Sequence, residues 1–398
     1  MKEKVLEIAK YAYEHVPFYK EKAIENQIEF TDKFQFTNLP IITKREIVGQ
    51  PQNLLSDEVN INDLVTEHTS GTTGYELILY FSRLDSLERA MILWHEREKN
   101  LPNIMQKRKA MFNDSAWLGD SIVKQVDDMI YLNTKYLNDE RFQQYYETIV
   151  EFQPEFIHVP CSVIYEFMRY LKRNSKKMPY QISYIELAGE YVSTGVYNDL
   201  KEFFEGALII NYYGSVEFYS IGHGCKNNVI HEVEDSVYIE ILNQDEEGFG
   251  DIVVTSLVNK AMPLIRYQLG DIGRLHENTC TCGKTGRIIE LRSGRSYDYY
   301  IDGDRKITGD YFRKVLVDYF KEIDDLSNIV QFSIIQKSKS ILMYNLLLHN
   351  KIDTEEIKEY LMKRLNAFLN VPVEIEVETE LDMTNKMKRK FKIYEFLK

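Results

Sequence analysis

The chain has 398 residues, of which 44% are hydrophobic and 28% charged, a composition typical of globular proteins. Its 49 lysines and arginines against 62 aspartates and glutamates give a net charge of −13, which argues against nucleic acid or an anionic membrane as the main partner. Four cysteines in a chain of this length predict a reducing, cytoplasmic compartment rather than a disulfide-bonded secreted protein. We expect no signal peptide and no membrane-spanning segment.

The first half of the chain alternates short apolar segments with helical patterns. Apolar residues have helical spacing at 3–15, and Thr43 with Glu46 forms the signature of a capped helix start. The apolar segments predicted as strands are 76–81, 109–113, 155–159, 182–188 and 207–213. The helical patterns lie at 84–99, 137–152, 161–174 and 194–205. Strands alternating with helices predict an α/β fold.

The rest of the chain divides into a β-rich part and a C-terminal part. Residues 222–290 contain alternating patterns typical of antiparallel strands, such as 237–242 and 250–257. A break at 295–298 predicts a hinge. The C-terminal elements predicted after it are a helix at 309–322, strands at 328–336 and 341–348, a helix at 354–368 and a strand at 372–378. We expect a large, multi-sheet N-terminal domain over 1–295 and a small, mobile α+β domain over 299–398.

One loop consists only of threonine, serine and glycine: Thr69, Ser70, Gly71, Thr72, Thr73 and Gly74. Backbone amides and hydroxyl groups in such a loop can approach phosphate oxygens closely and donate hydrogen bonds to them. The segment is not a Walker A loop, because no Gly-Lys-Ser/Thr follows it. An ordinary flexible turn is the alternative, since these residue types are common in loops.

The cysteines suggest a metal site in the β-rich part. Cys225, His231, Cys280 and Cys282 supply three thiols and one imidazole, which match a closed tetrahedral zinc site. Four protein ligands leave no position open for substrate, so such a zinc would be structural. His223 is a rival fourth ligand, and free thiols beside a surface histidine are the alternative without metal.

Three more motifs follow the Thr/Ser/Gly loop in a fixed order. They read Asn-Tyr-Tyr-Gly-Ser-Val-Glu at 211–217, Arg-Tyr-Gln-Leu-Gly-Asp at 266–271 and Gly-Arg-Ser-Tyr-Asp at 294–298. Together the motifs resemble the adenylate-forming (acyl/aryl-CoA synthetase) superfamily, and most closely its phenylacetate–CoA ligase-like and CapK-like branch. Segments 15–19, 40–44 and 262–267 resemble that branch specifically. The resemblance covers essentially the whole chain, and some members of the branch carry such a zinc.

The resemblance implies an adenylation domain that holds ATP, Mg²⁺ and a carboxylic acid together. It implies that Thr69–Gly74 bind the β- and γ-phosphates, that Glu217 binds Mg²⁺, and that Asp271 accepts hydrogen bonds from the ribose hydroxyls. The residues that it places around the adenine and the acid are Gly189, Glu190, Tyr213, Gly214 and Ser215.

Three basic residues are candidates for contacts with the phosphates or the acid. Arg295 and Arg266 can bind phosphate oxygens because guanidinium donors form a rigid fork, and Arg295 is favoured because it borders the hinge. Lys386 resembles the lysine that bridges the acid and the α-phosphate during adenylation. An ordinary surface ion pair is the alternative for either arginine, and a solvated basic tail is the alternative for Lys386.

The chain departs from the family at three positions. Tyr75 stands where many members have a lysine, Tyr297 stands at the hinge aspartate, and Asn385 replaces a glycine. The first departure removes a positive charge from the phosphate loop. Asn385 still suits that position, since asparagine tolerates left-handed backbone angles.

We therefore predict an AMP-forming ligase that activates a carboxylic acid with Mg-ATP and passes the acyl group to CoA after rotation of the small domain. Phe112, Trp117 and Tyr212 could line a pocket for an aryl acid, although aromatic residues at such positions are at least as often core. The resemblance to the branch favours an aromatic or other small organic acid. One alternative is an amide-forming ligase or carrier-protein loader that shares the first step. The other is a non-catalytic nucleotide- or acyl-binding homologue.

Overall fold

The computed structural model describes residues 2–31, 34–69, 77–113, 116–135, 137–192, 194–295, 299–302, 305–323, 325, 328–338, 340–348, 350–380 and 390–393. The helices are α1 (Lys2–His15), α2 (Pro17–Glu25), α3 (Lys44–Ile47), α4 (Arg83–Asn100), α5 (Asp139–Phe152), α6 (Cys161–Arg173), α7 (Thr194–Phe203), α8 (Gly309–Glu322) and α9 (Thr354–Asn366). Among the described residues, no helix combines the length and the hydropathy that crossing a membrane requires.

The strands extend from the N-terminal part to the end of the described chain. They are β1 (Ile42–Thr43), β2 (Val65–His68), β3 (Ile78–Phe81), β4 (Lys109–Asn113), β5 (Val123–Val126), β6 (Met129–Asn133), β7 (Phe156–Pro160), β8 (Tyr184–Ala188), β9 (Leu208–Tyr213), β10 (Gly222–Gly224), β11 (Ile230–Glu232), β12 (Val237–Leu242), β13 (Gly250–Ser256), β14 (Tyr267–His276), β15 (Ile288–Arg295), β16 (Tyr299–Asp302), β17 (Arg305–Thr308), β18 (Ile329–Ser338), β19 (Ile341–Leu348), β20 (Glu374–Glu380) and β21 (Lys390–Ile393). Helices and strands thus alternate through the first half, which confirms the predicted α/β class.

Local sequence signals account for several element boundaries. Pro17 follows the end of α1 and also starts α2, because proline is favourable in the first turn of a helix. The predicted capping box of Thr43 and Glu46 is present at the start of α3. A second capping box, between Ser82 and Asp85, starts α4.

One large sheet carries most of the N-terminal strands. Its order is β12-β13-β14-β15-β11-β10-β9-β8-β7-β4-β6-β5, and β1 pairs in parallel with β14. The central strands β4, β7, β8 and β9 are parallel. Strands β2 and β3 form a separate two-stranded sheet, as the multi-sheet prediction requires. In parallel α/β sheets, ligands bind beyond the carboxyl ends of the strands.

The β-rich part is antiparallel, as predicted for 237–242 and 250–257, which correspond to β12 and β13. The short strands β10 and β11 were not predicted individually, because three-residue segments such as Gly-His-Gly carry no readable alternation. Their neighbours β9 and β15 define them by hydrogen bonding.

The chain divides into two compact units. The first comprises Met1–Leu132, Ile149–Met168 and Lys177–Arg292, and the second comprises Asn133–Thr148, Arg169–Lys176 and Ser293–Lys398. The division at Ser293 is close to the predicted hinge, of which residues 296–298 lie outside the described residues. The second unit also takes in parts of α5 and α6, which the prediction had assigned to the N-terminal domain.

Each unit has its own hydrophobic core. In the first, Tyr19 is fully buried, and its hydroxyl donates to the Pro263 carbonyl at 3.1 Å and accepts from the Ile265 amide at 2.9 Å. In the second, α8 and α9 share a core with the sheet β20-β19-β18-β21, centred on buried Phe312 and Tyr344. The predicted helix–strand–strand–helix–strand order of the C-terminal part is confirmed.

Candidate functional site

Two residues predicted to surround the nucleotide lie side by side. Tyr213 ends β9 and Asp271 lies in β14, and the Tyr213 hydroxyl donates to Oδ2 of Asp271 at 3.0 Å. The two strands are separated in the sheet by β10, β11 and β15, so side-chain reach rather than strand pairing brings them together. A tyrosine ring beside a carboxylate suits a ligand with an aromatic base and a pair of hydroxyls.

The loop after Tyr213 is shaped by a close approach of its own backbone. A side chain at Gly214 would place Cβ 2.1 Å from the Tyr219 carbonyl oxygen and 2.6 Å from the Tyr212 hydroxyl, so only glycine fits. The Oγ of Ser215 accepts from the Phe218 amide at 3.3 Å and helps to close the turn. Tyr219 has a left-handed backbone with φ of 61°, which turns the chain back towards the sheet.

Glu217 lies in this loop and is half-buried. The Tyr267 hydroxyl approaches its Oε1 at 3.5 Å, which is a weak contact for a carboxylate. No basic side chain among the described residues forms an ion pair with Glu217 within 4.0 Å. A carboxylate in this state retains oxygen lone pairs for a hard cation such as Mg²⁺.

Thr69 is the one member of the Thr/Ser/Gly loop within the described residues, and Ser70, Gly71, Thr72, Thr73, Gly74 and Tyr75 lie outside them. Its Oγ1 accepts from the Leu77 amide at 2.9 Å and from Nζ of Lys44 at 3.1 Å. These contacts hold the start of the loop at the base of the β2–β3 pair. Lys44 thereby brings a positive charge to the predicted phosphate loop.

Sequence reasoning did not predict a role for Lys44. It follows Ile42 and Thr43, which pair with Tyr267 and Gln268 of β14, and the Thr43 capping box fixes the chain direction at Lys44. The lysine is 25 residues before Thr69 in sequence, so the contact depends on the tertiary structure. The available signal for Lys44 was Tyr75, which stands where many family members have a lysine. A loop without that lysine needs another positive charge near the phosphates.

Glu190 and Gly189 follow strand β8. Gly189 has φ of 75°, which favours glycine. The Glu190 carboxylate accepts from the Ser162 amide at 2.6 Å and from its hydroxyl at 2.8 Å, at the first turn of α6. These contacts assign the carboxylate to capping a helix N-terminus, where negative charge is favourable. The predicted place of Glu190 beside the adenine or the acid stays a prediction.

Arg266 has contacts that differ from the predicted phosphate role. It is only 5% exposed, and its Nε and Nη2 donate to the two oxygens of Glu240, each at 3.0 Å. Its Nη1 donates to the carbonyls of Thr37, at 2.8 Å, and of Leu39. All three guanidinium nitrogens therefore already donate to protein groups, and the ion-pair alternative describes Arg266 better. For Arg295 only the backbone is described, and Lys386 and Asn385 lie outside the described residues.

The predicted metal ligands form a tight cluster in the β-rich part. The candidate ligand atoms of Cys225, His231, Cys280 and Cys282 all lie within 4.8 Å of one another. The sulfurs of Cys225 and Cys280 are 3.7 Å apart, and the Cys282 sulfur is 3.3 Å from Nε2 of His231. Burial raises the pKa of the Cys225 thiol to about 11, a tendency that a bound cation would reverse.

The rival ligand His223 belongs to a different cluster. Its Nε2 is 3.0 Å from Oε1 of Glu186, and its Nδ1 is 3.0 Å from Nζ of Lys284. Burial lowers the pKa of His223, so its neutral form donates from Nε2 and accepts at Nδ1. Both ring nitrogens are thus used, and His231 is the better fourth ligand.

A buried polar network lies between α4 and the parallel sheet. We define it as Arg97, His158, Glu186, His223, Lys284 and Glu96. Oε2 of Glu186 is 2.6 Å from Nη2 of Arg97 and 2.7 Å from Nδ1 of His158. Burial alone would raise the pKa of Glu186, but Arg97 and the two histidines hold it well below its usual value. Lys284 closes the network by donating to Glu96 at 2.9 Å.

Sequence reasoning missed this network because charged residues at helical spacing normally indicate a solvent-facing surface. On α4 the charged residues Asp85, Arg89, Glu96 and Arg97 all face the protein interior. The cross-strand register then places His158 beside Glu186, and Tyr212 beside His223. A lone glutamate inside the apolar strand β8 was the available signal, since an unpaired charge there would be very costly.

The three aromatic residues predicted to favour an aryl acid have separate surroundings. Phe112 is buried in β4, whereas Trp117 is 47% exposed and packs edge-on against Tyr131. The Tyr212 ring lies 6.0 Å from the His158 ring and 6.1 Å from the His223 ring. The described ring contacts therefore do not join the three into one aromatic cluster.

The chain is similar to several characterised proteins, although no family model matches it. It is 23% identical over 321 residues to the phenylacetate-coenzyme A ligase of Thermus thermophilus, covering 75% of this chain and 70% of that protein. It is 20% identical over 401 residues to protein CapK of Staphylococcus aureus, covering 96% and 84% respectively. A solved structure of 2-hydroxyisobutyryl-CoA ligase in complex with R3-HIB-AMP superposes with a TM-score of 0.67 at 15% identity, covering 98% of this chain and 88% of that one.

Proposed function

We propose that this chain, an ATP-dependent, AMP-forming ligase of the adenylate-forming superfamily in a phenylacetate–CoA ligase-like branch, activates a small carboxylic acid and transfers the acyl group to CoA. The observation that carries this proposal is the contact of Tyr213 with Asp271 at 3.0 Å, next to the loop that contains Glu217. That arrangement offers a ring for a base, a carboxylate for ribose hydroxyls and a second carboxylate for a metal–phosphate group.

The residues of the chain divide the first half-reaction between them. Asp271 would accept hydrogen bonds from the ribose hydroxyls. Tyr213 would give up its hydrogen bond to Asp271, and its ring would contact the base. Lys44 would offset charge on the departing phosphates and so compensate for the tyrosine at 75, and its contact with the Thr69 hydroxyl would hold it at the loop. Glu217 would hold Mg²⁺, which when bound offsets the charge of the phosphates. The carboxylate of the acid attacks the α-phosphorus, an acyl–phosphate bond forms, and pyrophosphate leaves.

Arg295 remains the residue proposed to bind phosphate oxygens beside the hinge. Lys386 remains the residue proposed to bridge the acid and the α-phosphate. Both roles rest on the motif resemblance alone. In the second half-reaction the CoA thiol attacks the acyl carbon, a thioester forms, and AMP leaves. CoA is proposed as the acceptor because the chain is similar to a phenylacetate-coenzyme A ligase.

We also propose that the Cys/His cluster holds a structural Zn²⁺. Three thiols and one imidazole within 4.8 Å match the ligand set and compactness of a tetrahedral zinc site. Asn227 donates to the Cys280 sulfur at 3.3 Å, and the Lys284 amide approaches the Cys282 sulfur at 3.4 Å. Such donors suit thiolates, because outer-shell hydrogen bonds stabilise their negative charge.

Acid-dependent release of pyrophosphate from Mg-ATP tests the proposed function. The panel contains aryl, aliphatic, hydroxy and amino acids, each with and without CoA. Release with one acid, accelerated by CoA and accompanied by acyl-CoA, supports the proposal. Release that CoA does not accelerate would favour an amine or a carrier protein as acceptor. Absence of release with every acid, while ATP still binds, would favour a non-catalytic homologue.

Lys44→Met tests the link between Lys44 and the phosphate loop. We expect kcat/KM for ATP to fall about 10–100-fold, because one charge-assisted contact to phosphate is lost. Lys10→Met, at an exposed position of α1, is the matched control and should leave kcat/KM unchanged. An equal effect of both substitutions would contradict a role of Lys44 in binding the phosphates.

A further inference from the structure

The polar network beneath the parallel sheet has one end that reaches solvent. The side chain of His158 is 20% exposed, whereas that of Glu96 is 11% exposed and those of Arg97, Glu186, His223 and Lys284 are between 0% and 5% exposed. A buried cluster with a single accessible imidazole differs from a purely internal ion pair. His158 is therefore the most exposed member of this network, and its imidazole is the one that a ligand can contact.

The network also determines which nitrogen of His158 is available. Nδ1 of His158 is 2.7 Å from Oε2 of Glu186, so this nitrogen carries the hydrogen and donates a hydrogen bond to the carboxylate. Arg97 and His223 bind the same carboxylate and keep it in place. In the neutral imidazole, Nε2 is then a hydrogen-bond acceptor with a fixed direction. Glu186 acts here as a positioning residue, in the way that outer-shell carboxylates orient histidines elsewhere.

Tyr212 links His158 to the loop that follows Tyr213. His158 is in β7, one of the parallel strands, whose carboxyl ends are the usual ligand-binding edge. Its ring is 6.0 Å from that of Tyr212, which immediately precedes Tyr213 and donates through its hydroxyl to the Tyr219 carbonyl. Tyr212 thus connects His158 with the Gly214–Tyr219 turn.

A second polar group near Tyr212 reinforces the polar character of this region. Arg89, on the same helix as Arg97, is 6% exposed and stacks on the rings of Phe81, at 3.6 Å, and of Tyr219, at 4.9 Å. Its Nη2 binds Glu67, whereas no described residue accepts a hydrogen bond from its buried Nη1. Buried donors of this kind are rare in native structures and indicate a site that a polar group completes.

We propose that Nε2 of His158 accepts a hydrogen bond from a hydroxyl or amino group of the acid, so that the substrates are small hydroxy or amino acids rather than unsubstituted aryl acids. The inference rests on the proposed ligase function and specifies its substrate class. A site that contains a fixed acceptor discriminates strongly against an analogue without the donor, because the acceptor is then left unpaired.

Matched acid pairs test the inference with the full-length enzyme. Each pair consists of a short 2-hydroxy, 3-hydroxy or 2-amino acid and the acid that lacks only that group. We expect wild-type kcat/KM for pyrophosphate release to favour the substituted member of at least one pair by about 100-fold. His158→Asn should reduce that ratio below about 3, because its amide can retain the bond to Glu186 but has no atom at Nε2.

The control is His276→Asn, since His276 also pairs with a glutamate, Glu290 at 3.2 Å, but on an exposed surface. It should retain the wild-type ratio. His158→Gln provides a second variant, because its longer amide reaches the place of Nε2, and we expect it to restore about a tenth of the lost discrimination or more.

The possible outcomes separate this inference from the ligase proposal. No acid-dependent release from any acid contradicts the ligase itself. Release with wild-type ratios near one in every pair leaves the ligase intact and overturns the role of His158. An equal loss for both members of a pair in His158→Asn indicates a purely structural residue and also overturns it. If His158→Asn does not fold, His158→Gln and the wild-type ratios decide.

Discussion

Glu186 and Glu217 lie in the same compact unit, but their surroundings are opposite. Glu186 is fully buried and is bound by a guanidinium and two imidazoles. Glu217 is half-buried, and a tyrosine hydroxyl approaches it at 3.5 Å. The first carboxylate has exchanged water for protein donors, whereas the second retains room for a ligand.

The same contrast separates two arginines, Arg266 and Arg89. Glu240 and two carbonyls accept from all three guanidinium nitrogens of Arg266, whereas no described residue accepts from the buried Nη1 of Arg89. Residue type and motif position therefore do not by themselves decide whether a charged residue is structural or binds a ligand. Whether the polar atoms of a side chain are already satisfied separates structural charges from those that await a ligand.

The largest expected effect is on stability at Glu186. Replacing it in Glu186→Gln leaves Arg97 buried without a counter-charge, and we expect the free energy of unfolding to fall by about 3–5 kcal/mol. Urea unfolding at pH 7 measures this. The matched substitution Glu217→Gln should change the free energy of unfolding by less than about 0.5 kcal/mol. Similar effects at the two sites would remove the distinction between them.

The pH dependence sharpens this prediction. Because the folded state holds the pKa of Glu186 below its usual value, its contribution to stability is complete above the unfolded-state pKa of about 4.3. It is lost as the pH falls through the lower, folded-state pKa. Wild type should therefore lose stability more steeply than Glu186→Gln below about pH 4.3.

Metal removal is expected to have the next largest effect. If the Cys/His cluster binds one Zn²⁺ and the free Zn²⁺ concentration is about 1,000 times its Kd, chelation should cost about 4 kcal/mol and lower Tm by about 5 °C. Elemental analysis before and after chelation, combined with thermal unfolding, measures both quantities. Cys161→Ser, which alters a buried cysteine outside the cluster, is the control for zinc content. A protein with less than a tenth of an equivalent of zinc would contradict the metal site.

Glu217→Gln should mainly affect catalysis. Losing the metal-binding carboxylate should lower kcat for pyrophosphate release by about 10²–10³-fold with little change in Tm. Raising the Mg²⁺ concentration should recover part of the loss. A variant with wild-type kcat at every Mg²⁺ concentration would show that Glu217 is an ordinary surface carboxylate.

The smallest effect is expected at Tyr213. Tyr213→Phe keeps the ring but removes the hydroxyl that donates to Asp271 at 3.0 Å, so KM for ATP should change by no more than about fivefold. Tyr213→Ala removes the ring as well and should raise KM by about a further tenfold. Equal effects of the two variants would mean that the hydroxyl, and not stacking, is the important feature.

Much of the fold could be predicted because it depends on local patterns. The apolar segments of β7, β8 and β9 and the helical patterns of α6 and α7 lie where expected, since periodicity of apolar residues selects the element type. The short strands β10 and β11 could not be predicted, because their hydrogen bonds come from β9 and β15 rather than from their own residues.

The candidate site was predicted only in part. Motif order indicated Tyr213 and Asp271, and residue type indicated the Cys/His cluster. The structure places Tyr213 against Asp271 and the four metal candidates together. Motif order also indicated Arg266, which an ion pair with Glu240 occupies. Lys44 escaped prediction, because its contact with Thr69 joins segments that carry no shared pattern.

The α/β class, the family resemblance and the spacing of the cysteines could be read from the order of residues alone, because each depends on residue type and position along the chain. Which charges are buried together depends instead on how the chain folds. The register of β7 against β8 and the packing of α4 bring Arg97, His158 and Glu186 into contact. The physical reason is that the energy of a charge depends on its partners and its distance from water, and both are set by residues that are remote in sequence.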